Sequence, residues 1–337
     1  MSKLPVKNEL GFYEIRLESI GGLGANLAGK MLAEAGVMGL GLNGSNFSSY
    51  GSEKKGTPVK SFVRFCDPDT QIRDHSPIEQ PHVVGIFHEA LYKTVNVVSG
   101  LVADGIVLVN STRSFDEIRE ELGLDHGTLA TVDALGISLE EKTRVNTAML
   151  GALFRICDFL DADAMRSVIR KTFEKKYPHM VEPNLRTFDR GYESVTFQRI
   201  EVPQGAESVP FHRPVPALGY KTQPMGGAIV NPGNSILKDL SGSRQGFLPD
   251  FNLAECIHCA ACDVVCPDMC FVWEQGLDAR GKANMFLKGI DYQYCKGCLK
   301  CVQACPTDAL TPLRENDSYA AEHRVAHHFA LVSVEQE

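Results

Sequence analysis

The chain has 337 residues, with 34 Lys and Arg against 42 Asp and Glu; the formal charge of −8 removes the simplest electrostatic case for a nucleic-acid partner. A composition of 44% hydrophobic and 23% charged residues excludes a mainly disordered chain, and the length suits about two cores. There is no signal-peptide h-region and no apolar run near the ~18 residues that cross a bilayer, so the expectation is a cytoplasmic chain with no membrane partner.

In chain order, residues 13–20 predict a strand. Gly21, Gly22, Leu23 and Gly24 then form a tight turn into a helix that carries Leu27, Ala28, Met31, Leu32 and Ala35 on one face. Further strands are expected over 59–65, 82–87 and 105–110. The last two are almost continuously apolar, as in a sheet covered on both faces. Apolar stripes over 144–159 and 164–173 predict two amphipathic helices closing the domain. The resulting fold class is α/β with a mainly parallel sheet.

The glycine turn fails as a dinucleotide fingerprint. Reading from Gly22, the third small position is Leu27, and no acid for a ribose occurs from Leu40 until Glu53. No P-loop and no GxSxG nucleophile elbow is present. The stretch NFSSYGSEKKGTP (46–58) reads either as a functional polar loop following a strand or as a solvated turn.

Between 200 and 250 the sequence holds seven prolines and seven glycines and no sustained period, which predicts a long irregular connector. Ile229, Val230, Ile236 and Leu237 within it need burial, so an ordered strap is expected. The domain boundaries read as 1–199 for the α/β domain, 200–250 for the connector, 251–315 for a cysteine-rich domain and 316–337 for a tail. The tail histidines His323, His327 and His328 are expected to be exposed or to face a partner.

Nine of the 11 cysteines lie between Cys256 and Cys305, crowding that favours metal over disulfides in a reducing compartment. They form two runs of CxxCxxCxxxCP, an internal repeat with an offset of 39 residues. Soft thiolates at this spacing suit iron–sulfur clusters, and in such runs the last Cys ligates the other cluster. One [4Fe–4S] cluster is therefore expected on Cys256, Cys259, Cys262 and Cys305, and a second on Cys295, Cys298, Cys301 and Cys266. Two zinc sites are the alternative, although zinc has no need of the third Cys and the CP repeated in each half. Cys270 has no counterpart, since Ala309 stands at the equivalent place; it reads as a buried thiol.

The segments GGLGANLAGKMLAEAG and SYGSEKKGTPVKSFVRF resemble the gamma domain of 2-oxoacid:ferredoxin oxidoreductases, the pyruvate:ferredoxin oxidoreductase family. The cysteine-rich part resembles the delta, ferredoxin-type subunit of that family, so the chain looks like a gamma–delta fusion ending in an α+β bacterial-type dicluster ferredoxin domain. The resemblance implies a non-catalytic electron-transfer subunit. Partner alpha and beta subunits would hold thiamine diphosphate, Mg2+ and a further [4Fe–4S] cluster, and decarboxylate a 2-oxoacid such as pyruvate, or oxalate. This chain would pass electrons to an external ferredoxin. The resemblance also implies that Tyr50, Gly51, Glu53 and Lys54 face the active site or coenzyme A. The rival is a standalone dicluster ferredoxin fused to a docking domain for another redox enzyme.

Overall fold

The computed structural model describes residues 3–50, 57–93, 95–211, 225–227, 239–244, 246–316 and 318–328. The chain divides into two compact units, Met1–Gly219 and Tyr220–Glu337. Of the connector, 212–224, 228–238 and 245 lie outside the described residues, and with them Ile229, Val230, Ile236 and Leu237.

The first unit runs β1 (Tyr13–Ile20), α1 (Ala25–Leu40), β2 (Asn43–Tyr50), β3 (Pro58–Cys66), β4 (Val83–Ile86), β5 (Ile106–Asn110), α2 (Phe115–Leu122), β6 (Gly127–Val132), α3 (Ala134–Glu140), α4 (Val145–Ile156), α5 (Ala162–Glu174), α6 (Val181–Ser194) and β7 (Thr196–Ile200). These strands form one sheet in the order β2-β3-β1-β4-β5-β6-β7. Its centre, β1-β4-β5-β6, is parallel, while β2, β3 and β7 add antiparallel edges. Helices cover the sheet because Val83, Val84, Val107, Leu108 and Val109 are buried apolar residues on adjacent strands.

Three elements differ from the sequence expectation. Strand β2 occupies 43–50, part of which read as a polar loop; it pairs along its whole length with β3 and is only half-buried, as befits an edge. Helix α6 follows α5, so three helices close the domain. Its Pro183 sits in the first turn, where the missing N–H costs little. Strand β7 is exposed along most of its length and pairs with β6.

Helices α4 and α6 cross with their backbones in near contact. A Cβ at Gly151 would stand 2.0 Å from the Phe188 carbonyl oxygen, and one at Gly191 2.2 Å from that of Ala148. Only glycine permits this approach.

Strand β1 is buried on both faces. Tyr13, Ile15 and Leu17 join the apolar core, while Glu14, Arg16 and Glu18 point the other way under loops from 71–99. The charges are paired: Arg64 to Glu14 at 2.6 Å, Arg16 to Glu18 at 2.8 Å and Lys60 to Glu18 at 2.9 Å. Arg16 also donates to the carbonyls of Ile78, Val97 and Ser99. These opposite charges and carbonyl acceptors make the buried ion pairs tolerable, with the Arg16 Nε–H left without a hydrogen bond among the described residues.

The second unit contains β8 (Phe247–Phe251), α7 (Ala261–Val265), β9 (Phe271–Leu277), β10 (Ala283–Ile290), α8 (Lys300–Ala304), β11 (Leu310–Arg314) and α9 (Tyr319–Glu322). Strands β8 and β11 pair antiparallel, as do β9 and β10. The connector therefore ends earlier than 250: β8 and residues from 239 pack with the second unit, and Val209 and Pro210 accept or donate hydrogen bonds within the first.

The tail is also anchored as far as His327. Ile290 and Arg324 form a parallel bridge, Arg324 pairs with the buried Asp291 at 2.7 Å, and the His327 N–H donates to the same carboxylate. His323 stacks on Tyr319 with 4.1 Å between ring centroids. His323 and His328 are exposed as expected and His327 is half-buried; the segment is anchored because a buried carboxylate on β10's exit demands a cation and donors.

Candidate metal centres

Each cysteine run is built the same way. In the first, His258 and Ala260 take left-handed φ angles of 55° and 61°, and α7 begins at Ala261, which puts Cys262 in a helix and Cys266 at its exit. In the second, Gly297 and Leu299 take 65° and 57°, and α8 begins at Lys300. Met269 and Asp308, after each CP, also match at 52° and 56°. The repeat seen in the sequence is thus reproduced residue by residue in backbone conformations that cost non-glycine residues about 1–3 kcal/mol each. These turns bring N–H groups onto sulfur: His258 to the Cys256 Sγ and Gly297 to the Cys295 Sγ, both at 3.4 Å.

Two cavities result. Cys256, Cys259, Cys262 and Cys305 line one, together with Trp273, Phe251, Leu287 and Ala309. Cys295, Cys298, Cys301 and Cys266 line the other, together with Cys270, Phe271 and Ile290. The final Cys of each run thus reaches the cavity of the other. Among the described residues no three His, Cys, Asp or Glu side chains converge on a single-ion position; the thiols stand around a volume instead.

The walls fit a sulfur-rich group. Burial pushes the Cys262 and Cys301 thiols up to about 12, so removing their protons requires bound metal charge. The buried Trp273 Nε1–H has no acceptor among the described residues, and an acceptor in the first cavity would relieve it. In the second cavity Cys270 stands with Cys266 and Cys295. The proximity of these thiols draws Cys266 down to about 6 and lowers Cys295, while Cys270 is raised. Behind this cavity the buried Arg244 donates to the carbonyls of Cys295 and Tyr292 and pairs with Glu315. Lys296 pairs with Asp268 at 2.9 Å.

In the first unit, Tyr50 ends β2 and is 68% exposed, whereas Gly51, Glu53 and Lys54 lie outside the described residues. Gly22 and Gly24 take positive φ, as the turn requires, and Leu27 packs against the core where a dinucleotide fold would need a small residue. Sequence reasoning read Cys270 as a buried thiol and missed its contacts along the wall of the second cavity. Their only signal was the broken repeat at Ala309. It also missed the brace from Arg244, which lies well outside either run. Among the described residues no helix is long and apolar enough to cross a membrane.

Comparison with known proteins agrees with this division. Residues 14–194 match the family described as pyruvate ferredoxin/flavodoxin oxidoreductase, and residues 255–309 match the 4Fe-4S dicluster domain. Pyruvate synthase subunit PorC of Thermotoga maritima is 39% identical over 187 residues, covering 55% of this chain and 95% of that protein. The pyruvate/ketoisovalerate oxidoreductases common subunit gamma of Thermococcus kodakarensis is 38% identical over 162 residues, covering 48% of this chain and 86% of its own length. The crystal structure of the T. maritima pyruvate oxidoreductase subunit matches with a TM-score of 0.49 and 34% identity, over 56% of this chain and 99% of that one. The chain belongs to the pyruvate ferredoxin/flavodoxin oxidoreductase family and carries, C-terminal to the family domain, a 4Fe-4S dicluster domain.

Proposed function

We propose that this chain is the gamma–delta, electron-transfer subunit of a multi-subunit 2-oxoacid:ferredoxin oxidoreductase, with two [4Fe–4S] clusters in its second unit. The observation that carries this reading is the crossed grouping of eight thiols around two cavities, each completed by the last Cys of the opposite run. A [4Fe–4S] group supplies one-electron exchange at such a site. Cys256, Cys259, Cys262 and Cys305 would hold the first cluster and Cys295, Cys298, Cys301 and Cys266 the second. Phe251, Leu287, Phe271 and Ile290 give each cavity an apolar inner wall, and the turned N–H groups of His258 and Gly297 would stabilise thiolate charge.

The oxoacid chemistry belongs to partner alpha and beta subunits, with thiamine diphosphate, Mg2+ and a further cluster there, and an external ferredoxin as acceptor. Pyruvate is the favoured substrate, because the names of the relatives carry it, one of them together with ketoisovalerate. Tyr50, Gly51, Glu53 and Lys54 would face the partner's active site, where coenzyme A enters. The eleven free thiols suit the cytoplasm.

The test is anaerobic purification of the native chain. The expected result is co-purifying alpha and beta subunits, pyruvate-dependent reduction of ferredoxin by the complex, and about twelve irons per copy of this chain in the complex, about eight of them held by this chain. Zinc in place of iron, or oxoacid turnover by this chain alone, overturns the proposal.

A further inference from the structure

Strand β9 runs past both cavities: Phe271 lines the second and Trp273, two residues on and on the same face, lines the first. The repeat offset of 39 residues sets β9 over β11 and Trp273 over Pro312. The two ladders agree. Trp273 stands opposite Leu287, a wall residue of the first cavity, and Pro312 opposite Pro249, a wall residue of the second. One half of the repeat thus carries an indole N–H where the other carries a ring without any donor.

The indole nitrogen is the anomaly. Trp273 Nε1 is buried and has no hydrogen-bond acceptor among the described residues, a state that buried donors rarely keep. Phenylalanine would fill the wall without that cost. Side-chain acceptors around the first cavity are few. His258 Nδ1 already accepts the Leu287 N–H at 3.1 Å, and Thr307 Oγ1 lies 3.8 Å from the Cys305 Sγ. The others are the four sulfurs assigned to the first cluster.

Hydrogen bonds to the sulfurs are among the factors that set a cluster's potential; a donor stabilises the extra negative charge of the reduced state. We infer that Trp273 donates its indole N–H to a sulfur of the first centre and holds that centre at a more positive potential than a donor-free wall would. The inference rests on the two-cluster reading above. It makes the two centres inequivalent despite their identical ligand spacing.

The experiment is an EPR-monitored redox titration of the full chain with its clusters, alongside iron analysis, for the parent and Trp273→Phe. Pulsed EPR is added on the parent grown with heavy nitrogen in the indole ring, a label that reports one site because the chain has a single tryptophan. In Trp273→Phe iron is unchanged and one midpoint moves negative, so that at fixed potential the reduced-to-oxidised ratio of that centre falls about fivefold, the worth of one ordinary hydrogen bond. The other midpoint stays. The sign separates a donor from a mere wall, since a thinner wall admits water, which favours the more charged reduced state and moves a midpoint positive. In the labelled parent one reduced centre, the one whose midpoint the substitution moves, shows an isotropic coupling to the heavy nitrogen. Unmoved or raised midpoints in Trp273→Phe overturn the inference, as does an equal shift of both. If Trp273→Phe loses a cluster, the labelled parent decides, and the lack of an isotropic coupling there overturns it. A parent without two clusters fails the underlying function instead, an outcome that iron analysis separates from the rest.

Discussion

In the α/β unit the core is built from Leu, Ile, Val, Met and Phe on both sides of a seven-stranded sheet. In the second unit the buried cluster has eleven members among the described residues, and four of them are Cys262, Cys270, Cys295 and Cys301. Three of those four are assigned as metal ligands. Apolar burial holds the first unit together without help, whereas the second spends much of its interior on thiols whose value is realised only by bonding metal. The contrast extends to the helices: α1 to α6 are long enough to pack on the sheet, while α7 and α8 have five residues each and serve to aim sulfurs.

Removing the metal is the strongest way to break that comparison. Chelation of iron from the full chain should unfold the second unit and leave the first intact. The protein's single tryptophan, Trp273, lies in the second unit, so its emission reports that unit alone, while far-UV circular dichroism is dominated by the six helices of the first. Native-like tryptophan emission after iron loss would show that the small apolar cluster suffices.

A smaller effect runs in the opposite direction. Gly151→Ala forces a methyl against the Phe188 carbonyl and should cost the first unit about 3 kcal/mol, read as a lower urea midpoint by circular dichroism. Iron content and Trp273 emission should not change. An unchanged midpoint would mean that α4 and α6 separate at little cost.

The smallest effect sharpens the comparison through pH. His82 is buried against Tyr13, its Nδ1 accepts the Glu14 N–H, and burial holds its pKa below the ordinary value. The unfolded chain therefore takes up this proton first. The contribution of His82 is complete above the unfolded value of about pH 6.5 and is lost as pH falls from there toward the folded value. His82→Gln should narrow the difference in urea midpoint between about pH 7.5 and about pH 5.5 relative to the parent. An equal difference in both proteins would assign the acid sensitivity elsewhere.

Legibility in the sequence followed the physics of each region. Strands β1, β3, β4 and β5 and helices α1, α4 and α5 were readable because apolar spacing sets them. The grouping of cysteines was readable because chemistry fixes ligand spacing more tightly than packing does. Strand β2, NGSNFSSY, has no alternation and exists because β3 offers a partner. The alternation of Glu14, Arg16 and Glu18 ordinarily marks a solvent face, yet loops far along the chain bury it and supply carbonyls and ion pairs. Neither fact is local. Arg244 was invisible for the same reason: it lies in a segment without periodicity and acts on Cys295, 51 residues away.

The bridge between Ile290 and Arg324 has a consequence for biogenesis. A ribosome delivers Asp291 before the guanidinium that neutralises it and before the His327 amide that caps it. Until those later residues emerge, the wall behind Cys270 contains a carboxylate without its cation. Closure of the Cys295 side of the ferredoxin unit is therefore a late event in translation, and a nascent chain halted before Arg324 would carry its first thiol cage in finished form and its second without support.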